Sequence, residues 1–390
     1  MIEPSKPTMN TQPSVARPTS PVLTTAWLIA VLGAGLVARF WFGARGHNYD
    51  LESWRIAADL VAEGKSVYAN TDRYNYAPGW FIILHALDSL AGRNLFVFHQ
   101  LLIAFLSAAD IGIFYVLWRK FGRLPATVFF LNPVSIMITG YHNQFDNVAV
   151  LLGLWAVLCY GDDFEKPLNR RKYSALLLLG LSLIVKHLLF VFPFWLAVKQ
   201  RGLLQKFLIM AVPTAMFFGS FLPFWSAGHD GIIAYVFKYQ SSSALHSYFY
   251  NLLVPEFFRY MAGSKVYWLL CLAGFAFLCR SRPGLPSLLV YTGVLVAASP
   301  AISNQYLAIP AALASVELGP FFIAYFVLAT AHLAVDVNGP HLFKNTTGAF
   351  DDLATVCLSF ALIWMMWRPA IIRGVQNCRR EINHQLGGGG

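Results

Sequence analysis

Charge is what this chain lacks. Charged residues fill only 12% of its 390 positions, against about 25% in soluble domains. Hydrophobic residues fill 57%. One soluble core cannot absorb that much apolar sequence, so the chain reads as an all-α polytopic membrane protein. Acidic residues are the scarcer sign, 19 against 29 Lys and Arg, for a net charge of +10. The basic residues sit in short clusters between apolar runs. That is the positive-inside pattern of cytoplasmic loops, not a nucleic-acid surface. Cysteine is scarce too. Cys159, Cys271, Cys279, Cys357 and Cys378 make no metal-ligand spacing, and most lie in or beside apolar runs. They read as reduced and structural. There is no fixed-period repeat and no soluble domain.

Residues 1–21 carry Pro4, Pro7, Pro13, Pro18 and Pro21 and read as a disordered cytoplasmic tail, too polar and Pro-rich for a signal peptide. Residues 370–390 read as a basic cytoplasmic tail ending in a Gly387–Gly390 linker. A single transmembrane domain is expected over 22–369, with outer loops near 43–78 and 224–264.

Two kinds of apolar run fill that domain. Val22–Phe42 and Leu95–Trp118 reach the length of about 20 residues that a span needs. Gly79–Ala91 does not, and reads as re-entrant or lying along the outer interface. Leu124–Gly140 and Val148–Tyr160 read as an outward and a returning span. The run Ser174–Lys199 is interrupted at Lys186-His187. One straight span would place Lys199, Arg201 and Lys206 outside. Two short spans with an outer turn at Lys186-His187 put them inside and take the charge out of the hydrocarbon. Later spans read as Phe207–Pro223, Val266–Leu278, Leu285–Ala298, Leu307–Ser315, Pro320–Val335 and Leu353–Trp367. The count is about twelve (range 10–13), with both termini cytoplasmic.

Under this topology the polar residues collect on one face. They are Asp50 and Glu52, Arg73 to Tyr76, His142 to Asn147 with Gln144 and Asp146, Lys186 and His187, and His246 with Gln305. A carboxylate can take the proton of a hydroxyl nucleophile. Lys, His and Arg can hold a phosphate leaving group. The set fits group transfer from a lipid-linked phosphate. Each member also has a plain reading. In that reading Asp50 is a solvated loop residue, Asp146 and His142 are helix caps, Lys186 is a snorkelling interface residue, and His246 is a loop histidine.

The stretch YDLESWRIAADLVAEGKSVYANTDRYNYAPGW (49–80), FFLNPVSI, the break LIVKHLLFVFPFWL, KYQSSSALHSYFYN and SNQYL follow one another in an order that resembles the GT-C glycosyltransferases. The resemblance is greatest to the catalytic subunit of GPI mannosyltransferase I and its bacterial relatives, and it spans most of the chain. It implies a GT-C-like bundle whose catalytic first outer loop holds short amphipathic helices. It also implies inverting transfer, typically of mannose from dolichyl or polyprenyl phosphate, to a lipid-linked or glycan acceptor hydroxyl at the outer or lumenal face. The family's Asp-x-Asp places its first, catalytic carboxylate at Asp50. The second is Glu52 here, which leaves a metal (Mg or Mn, on Asp50 and Glu52) open; no cofactor is required. Lys186, His187, Arg73, Gln305 and His246 are the expected donor-binding residues. Glu52, Tyr76, His142, Gln144 and Asp146 are the expected sugar- or acceptor-binding residues. Where the relatives carry Arg in an outer loop, this chain has KYQSSSALHS, which leaves open an acceptor other than a GPI precursor. A small accessory subunit is a candidate partner. The bacterial plasma membrane is favoured over the endoplasmic reticulum membrane. Two other classes stay open: a secondary transporter, since broken helices and intramembrane charge also mark those, and a non-catalytic assembly subunit.

Overall fold

The computed structural model describes residues 21–239, 265–300, 303–336, 339–340, 342, 350 and 353–368, and every regular element among them is helical. The expected tails, and the loop segment that carries His246, lie outside the described residues. The helices are α1 (Pro21–Ala44), α2 (Asp50–Ala62), α3 (Val67–Asn70), α4 (Pro78–Leu90), α5 (Leu95–Phe121) and α6 (Arg123–Leu131). Then come α7 (Pro133–Gly140), α8 (Asp146–Tyr160), α9 (Arg170–Val185), α10 (Phe192–Ala197), α11 (Leu203–Gly219) and α12 (Leu222–Gly231). The last are α13 (Lys265–Leu278), α14 (Gly284–Ala297), α15 (Ala311–Val316), α16 (Pro320–Val335) and α17 (Leu353–Arg368).

α1 and α5 are long and apolar enough to cross a membrane, at 24 and 27 residues. Their ends follow local chemistry. Asn94 caps α5 by accepting from the Val97 N–H, and Asn169 caps α9 by accepting from Lys172. α5 stops at Gly122, whose φ of +96° is open to glycine at little cost.

The run 124–140, expected as one span, is two helices. Asn132 breaks it: its side chain caps Val134 N–H, and Pro133 starts α7 with no N–H of its own to satisfy. The expected outer loop after Pro223 is also helical at its start. α12 is prolonged by a π-turn to Phe237 and bends away from α11 by 70°. α12 packs on α3, close enough that Gly228 and Gly231 lie against Tyr68. The break at Lys186 is present as expected. Lys186 is extended, with φ −152° and ψ 123°, and a short 3-10 turn, His187–Leu189, leads into α10.

Long-range contacts sort the helix ends. Asp110 meets Asn147, and Gly112 lies against Leu151, so α5 and α8 run parallel. Their C-termini share an end with most of the basic clusters. There Lys199 donates to the carbonyls of Cys279, Arg280 and Arg282, and Arg201 pairs with Glu165 at 2.6 Å. Arg123 reaches Thr24 at the start of α1. The opposite end gathers Asn48, Asp50, His142, Lys186 and Asn304.

Between the ends lies a polar knot. Arg39 and Asp110 pair at 2.9 Å with both side chains fully buried. Arg39 also donates to the Gly35 and Phe130 carbonyls and to Ser135 Oγ. Asp110 accepts from Thr139 and Asn147. The knot joins α1, α5, α7 and α8. It is possible because α1 and α7 nearly touch: a Cβ on Gly140 would fall 3.0 Å from Arg39 Cα.

Candidate active site at the Asp50 end

Asp50 opens α2, where its charge complements the positive end of the helix. The turn between α7 and α8 lies against it. Asn143 in that turn has φ +53°, a left-handed conformation that Asn tolerates, and its amide donates to the Thr139 and Gly140 carbonyls. Main-chain contact ties the two loops, since Asn48 N–H donates to the Tyr141 carbonyl. Trp54 Nε1 donates to the Asn143 carbonyl. Phe145 stacks on Trp80 with ring centres 3.9 Å apart and is flanked by Trp54 and Tyr76. Such a pair contributes about 0.5–1.5 kcal/mol beyond its buried area.

This packing delivers two amides to one carboxylate oxygen. Asn48 Nδ2 donates to Asp50 Oδ2 at 3.2 Å, and Gln144 Nε2 donates to the same oxygen at 2.5 Å. Asn48 Oδ1 accepts from the Asp50 N–H. Asn48 Nδ2 also lies 3.2 Å from His142 Nδ1. Burial pushes the Asp50 carboxyl above its ordinary range; Asn48, Lys186, Gln144 and Arg73 offset part of that. Burial holds the His142 ring neutral, its pKa lowered to about 4.

Lys186 does not snorkel. Its Nζ lies 2.7 Å from Asp146 Oδ2, with the two side chains 5% and 1% exposed. It also sits over the rings of Phe145 and Tyr76, at 4.5 and 5.1 Å. Lys186, His187, Tyr76 and Gln305 line a cavity of about 170 Å³. Asn75, Tyr239, Ser299, Ser303 and Tyr306 add polar groups to it. Leu188, Trp268, Leu295, Val296 and Ile309 make an apolar wall. The cavity is therefore amphipathic, with one buried ion pair at its head.

The expected site residues divide three ways. Tyr76, Lys186, His187 and Gln305 meet in the cavity. Asp50, His142 and Gln144 form the adjoining network, and Asp146 links the two through Lys186. Glu52 and Arg73 lie on the flank. Residues i and i+2 of a helix do not share a face, so Glu52 points away from Asp50. Its side chain is 60% exposed and pairs with Arg73 at 3.5 Å. Arg73 also donates to Ser53 and the Tyr49 carbonyl and covers the Tyr49 ring. The Asp50–Glu52 pair therefore does not fit a shared Mg or Mn. No group of three or more His, Cys, Asp or Glu able to hold a metal occurs among the described residues.

Sequence reasoning passed over Asn48, Tyr306 and the cluster Asn304, His332 and Asp336. In that cluster Asn304 donates to Asp336 at 2.7 Å and its Oδ1 lies 2.9 Å from His332 Nε2. Asn48, two residues before Asp50 in a polar loop, was the most findable of these. His332 and Asp336 sit at the end of an apolar run and carry no local signal.

The chain matches no protein-family model and no curated protein sequence.

Proposed function

We propose that the protein is a membrane glycosyltransferase, an inverting mannosyltransferase that uses a polyprenyl-phosphate sugar. The observation that carries this reading is the amphipathic cavity beside a half-buried carboxylate, one oxygen of which accepts no hydrogen bond from the described residues. An anionic headgroup suits Lys186, His187 and Gln305, and a hydrocarbon chain suits the wall between α13 and α14. In this reading the acceptor oxygen attacks the anomeric carbon while its proton passes to Asp50. The bond from that carbon to the phosphate oxygen breaks, and the phosphate leaves with the electron pair. Lys186 is poised to meet the developing charge. The leaving phosphate needs no strong acid, so one base suffices.

The reading takes the chain to cross the membrane about twelve times, with the basic end cytoplasmic and the Asp50 end at the outer face of a bacterial plasma membrane. The gathering of basic clusters at one end supports this. A transporter site is expected near the bilayer midplane. Here the cavity lies at one end, which favours the enzyme.

The test is product analysis by mass spectrometry. Purified protein is given polyprenyl-phosphate mannose, then the glucose form, with lipid acceptors. Mannose transfer that is lost in Asp50→Asn supports the reading. No transfer from either donor to any acceptor would end it.

A further inference from the structure

We propose that Asn48 is the positioning residue of the Asp50 base: it holds the carboxylate by Oδ2, fixes His142 as the Nε2–H tautomer and leaves Oδ1 to take the proton. The last part rests on the glycosyltransferase reading; the first two do not.

The Asp50 main-chain N–H can only donate, so the Asn48 atom 3.0 Å from it is the amide oxygen. The other atom is therefore the NH₂ group, with two hydrogens. It has two neighbours at 3.2 Å, Asp50 Oδ2 and His142 Nδ1. One hydrogen goes to each. His142 Nδ1 then presents a lone pair, and the proton of a neutral ring sits on Nε2. His142 is 1% exposed, and its Nε2 has no partner among the described residues.

The two oxygens of Asp50 differ in the same way. Gln144 Nε2 and Asn48 Nδ2 both donate to Oδ2. A quarter turn of the carboxyl group would forfeit both bonds, and a half turn only exchanges its two oxygens. An oxygen that already accepts two hydrogen bonds is the poorer base, so an incoming proton goes to Oδ1. Among the described residues, the charged or titratable groups facing Asp50 are Lys186 at the α9 break, Arg73 after α3, Tyr76 before α4 and His142 in the turn. None of them donates to Oδ2.

Asn48→Asp keeps the shape and the main-chain contact to Tyr141 but replaces both N–H donors with an acceptor. Two spectroscopic readouts test it on full-length protein in lipid nanodiscs. The infrared band of the Asp50 carboxylic acid, assigned with Asp50→Asn, should titrate higher in Asn48→Asp by about one pH unit or more. The ¹⁵N spectrum of His142, assigned with His142→Gln, should change from Nε2–H to Nδ1–H or to the doubly protonated ring. Gln144→Ala removes one donor and spares Asn48. It should move the Asp50 titration the same way by less and leave the His142 tautomer alone. With polyprenyl-phosphate mannose as probe, the acid limb of turnover should follow the Asp50 titration while the donor KM holds. Unmoved infrared and ¹⁵N signals in Asn48→Asp overturn the proposal, as does a tautomer change in Gln144→Ala equal to that in Asn48→Asp. If the signals move but no donor is used, the positioning network stands and the glycosyltransferase reading falls.

Discussion

Two polar networks are buried in this bundle, and they differ in how completely they are satisfied. Around Arg39 and Asp110 every guanidinium nitrogen and both carboxylate oxygens have a partner. Arg39 Nε donates to Asp110, Nη1 to the Gly35 and Phe130 carbonyls and Nη2 to Ser135, and both Asp110 oxygens accept. Around Asp50, Lys186 and Asp146 the account stays open. Asp146 Oδ1, His142 Nε2 and Gln144 Oε1 are buried with no partner among the described residues. A buried charge is tolerable when fully paired. A buried group left open is costly and is retained where a ligand or a reaction completes it. The choice of cation agrees. Arg offers a fixed fork that locks a structure, while Lys is a compact charge that can exchange partners. The first network holds the helices; the second is set beside a cavity.

The largest expected effect tests the closed network. Arg39→Met leaves Asp110 buried and unpaired, which costs about 3–5 kcal/mol. Against a typical stability of about 5–15 kcal/mol that is a large share, so size-exclusion profiles after graded heating should show a marked loss of stability. Arg39→Met with Asp110→Leu should recover much of it. If the single variant is as stable as wild type, the closed network is not structural.

Asp50→Asn should leave folding intact and lower turnover by about 10²–10⁴-fold, or about 3–5 kcal/mol of barrier. Its stability should also depend on pH in a definite direction. The fold raises the Asp50 carboxyl, so it favours the neutral form. Wild type loses that preference as pH rises from the ordinary carboxylate range through the raised value. Asn carries no charge to desolvate, so the variant should gain on wild type in thermal melts across that window. Full activity in Asp50→Asn would remove the base from the site.

For the open pair, Lys186→Met with Asp146→Asn should restore neutrality and folding but raise the donor KM about tenfold or more, the loss of one charged hydrogen bond. An unchanged donor KM would make Lys186–Asp146 a second structural pair and erase the contrast.

Smaller, but decisive for sidedness, is cysteine labelling. Tyr49 is 60% exposed at the Asp50 end, and Arg171 is exposed at the basic end. An impermeant thiol reagent on intact cells should reach Tyr49→Cys and not Arg171→Cys. The reverse pattern would turn the protein over in its membrane.

The reach of sequence reasoning is visible at particular residues. Asp50 stood out as a carboxylate in a polar loop between apolar runs, and Lys186 because it breaks an apolar run. Glu52 looked like a partner of Asp50 because the loop hid the helix: once α2 starts at Asp50, a spacing of two turns Glu52 to the other side. The knot was missed because Arg39 and Asp110 are single charges inside long apolar runs, 71 positions apart. Each taken alone only lowers a hydropathy average.

The sequence by itself determined the helical class, the long apolar runs, the ends set by Asn, Pro and Gly, and the break at Lys186. These depend on composition and on contacts within a turn or two. Only the tertiary structure decided which amide meets which carboxylate. Asn48 and Gln144 reach Asp50 from positions 2 and 94 residues away, and Asp146 reaches Lys186 across 40. Those pairings depend on how helices pack side by side, where one turn of slip moves a side chain by about 5.4 Å, beyond any hydrogen bond.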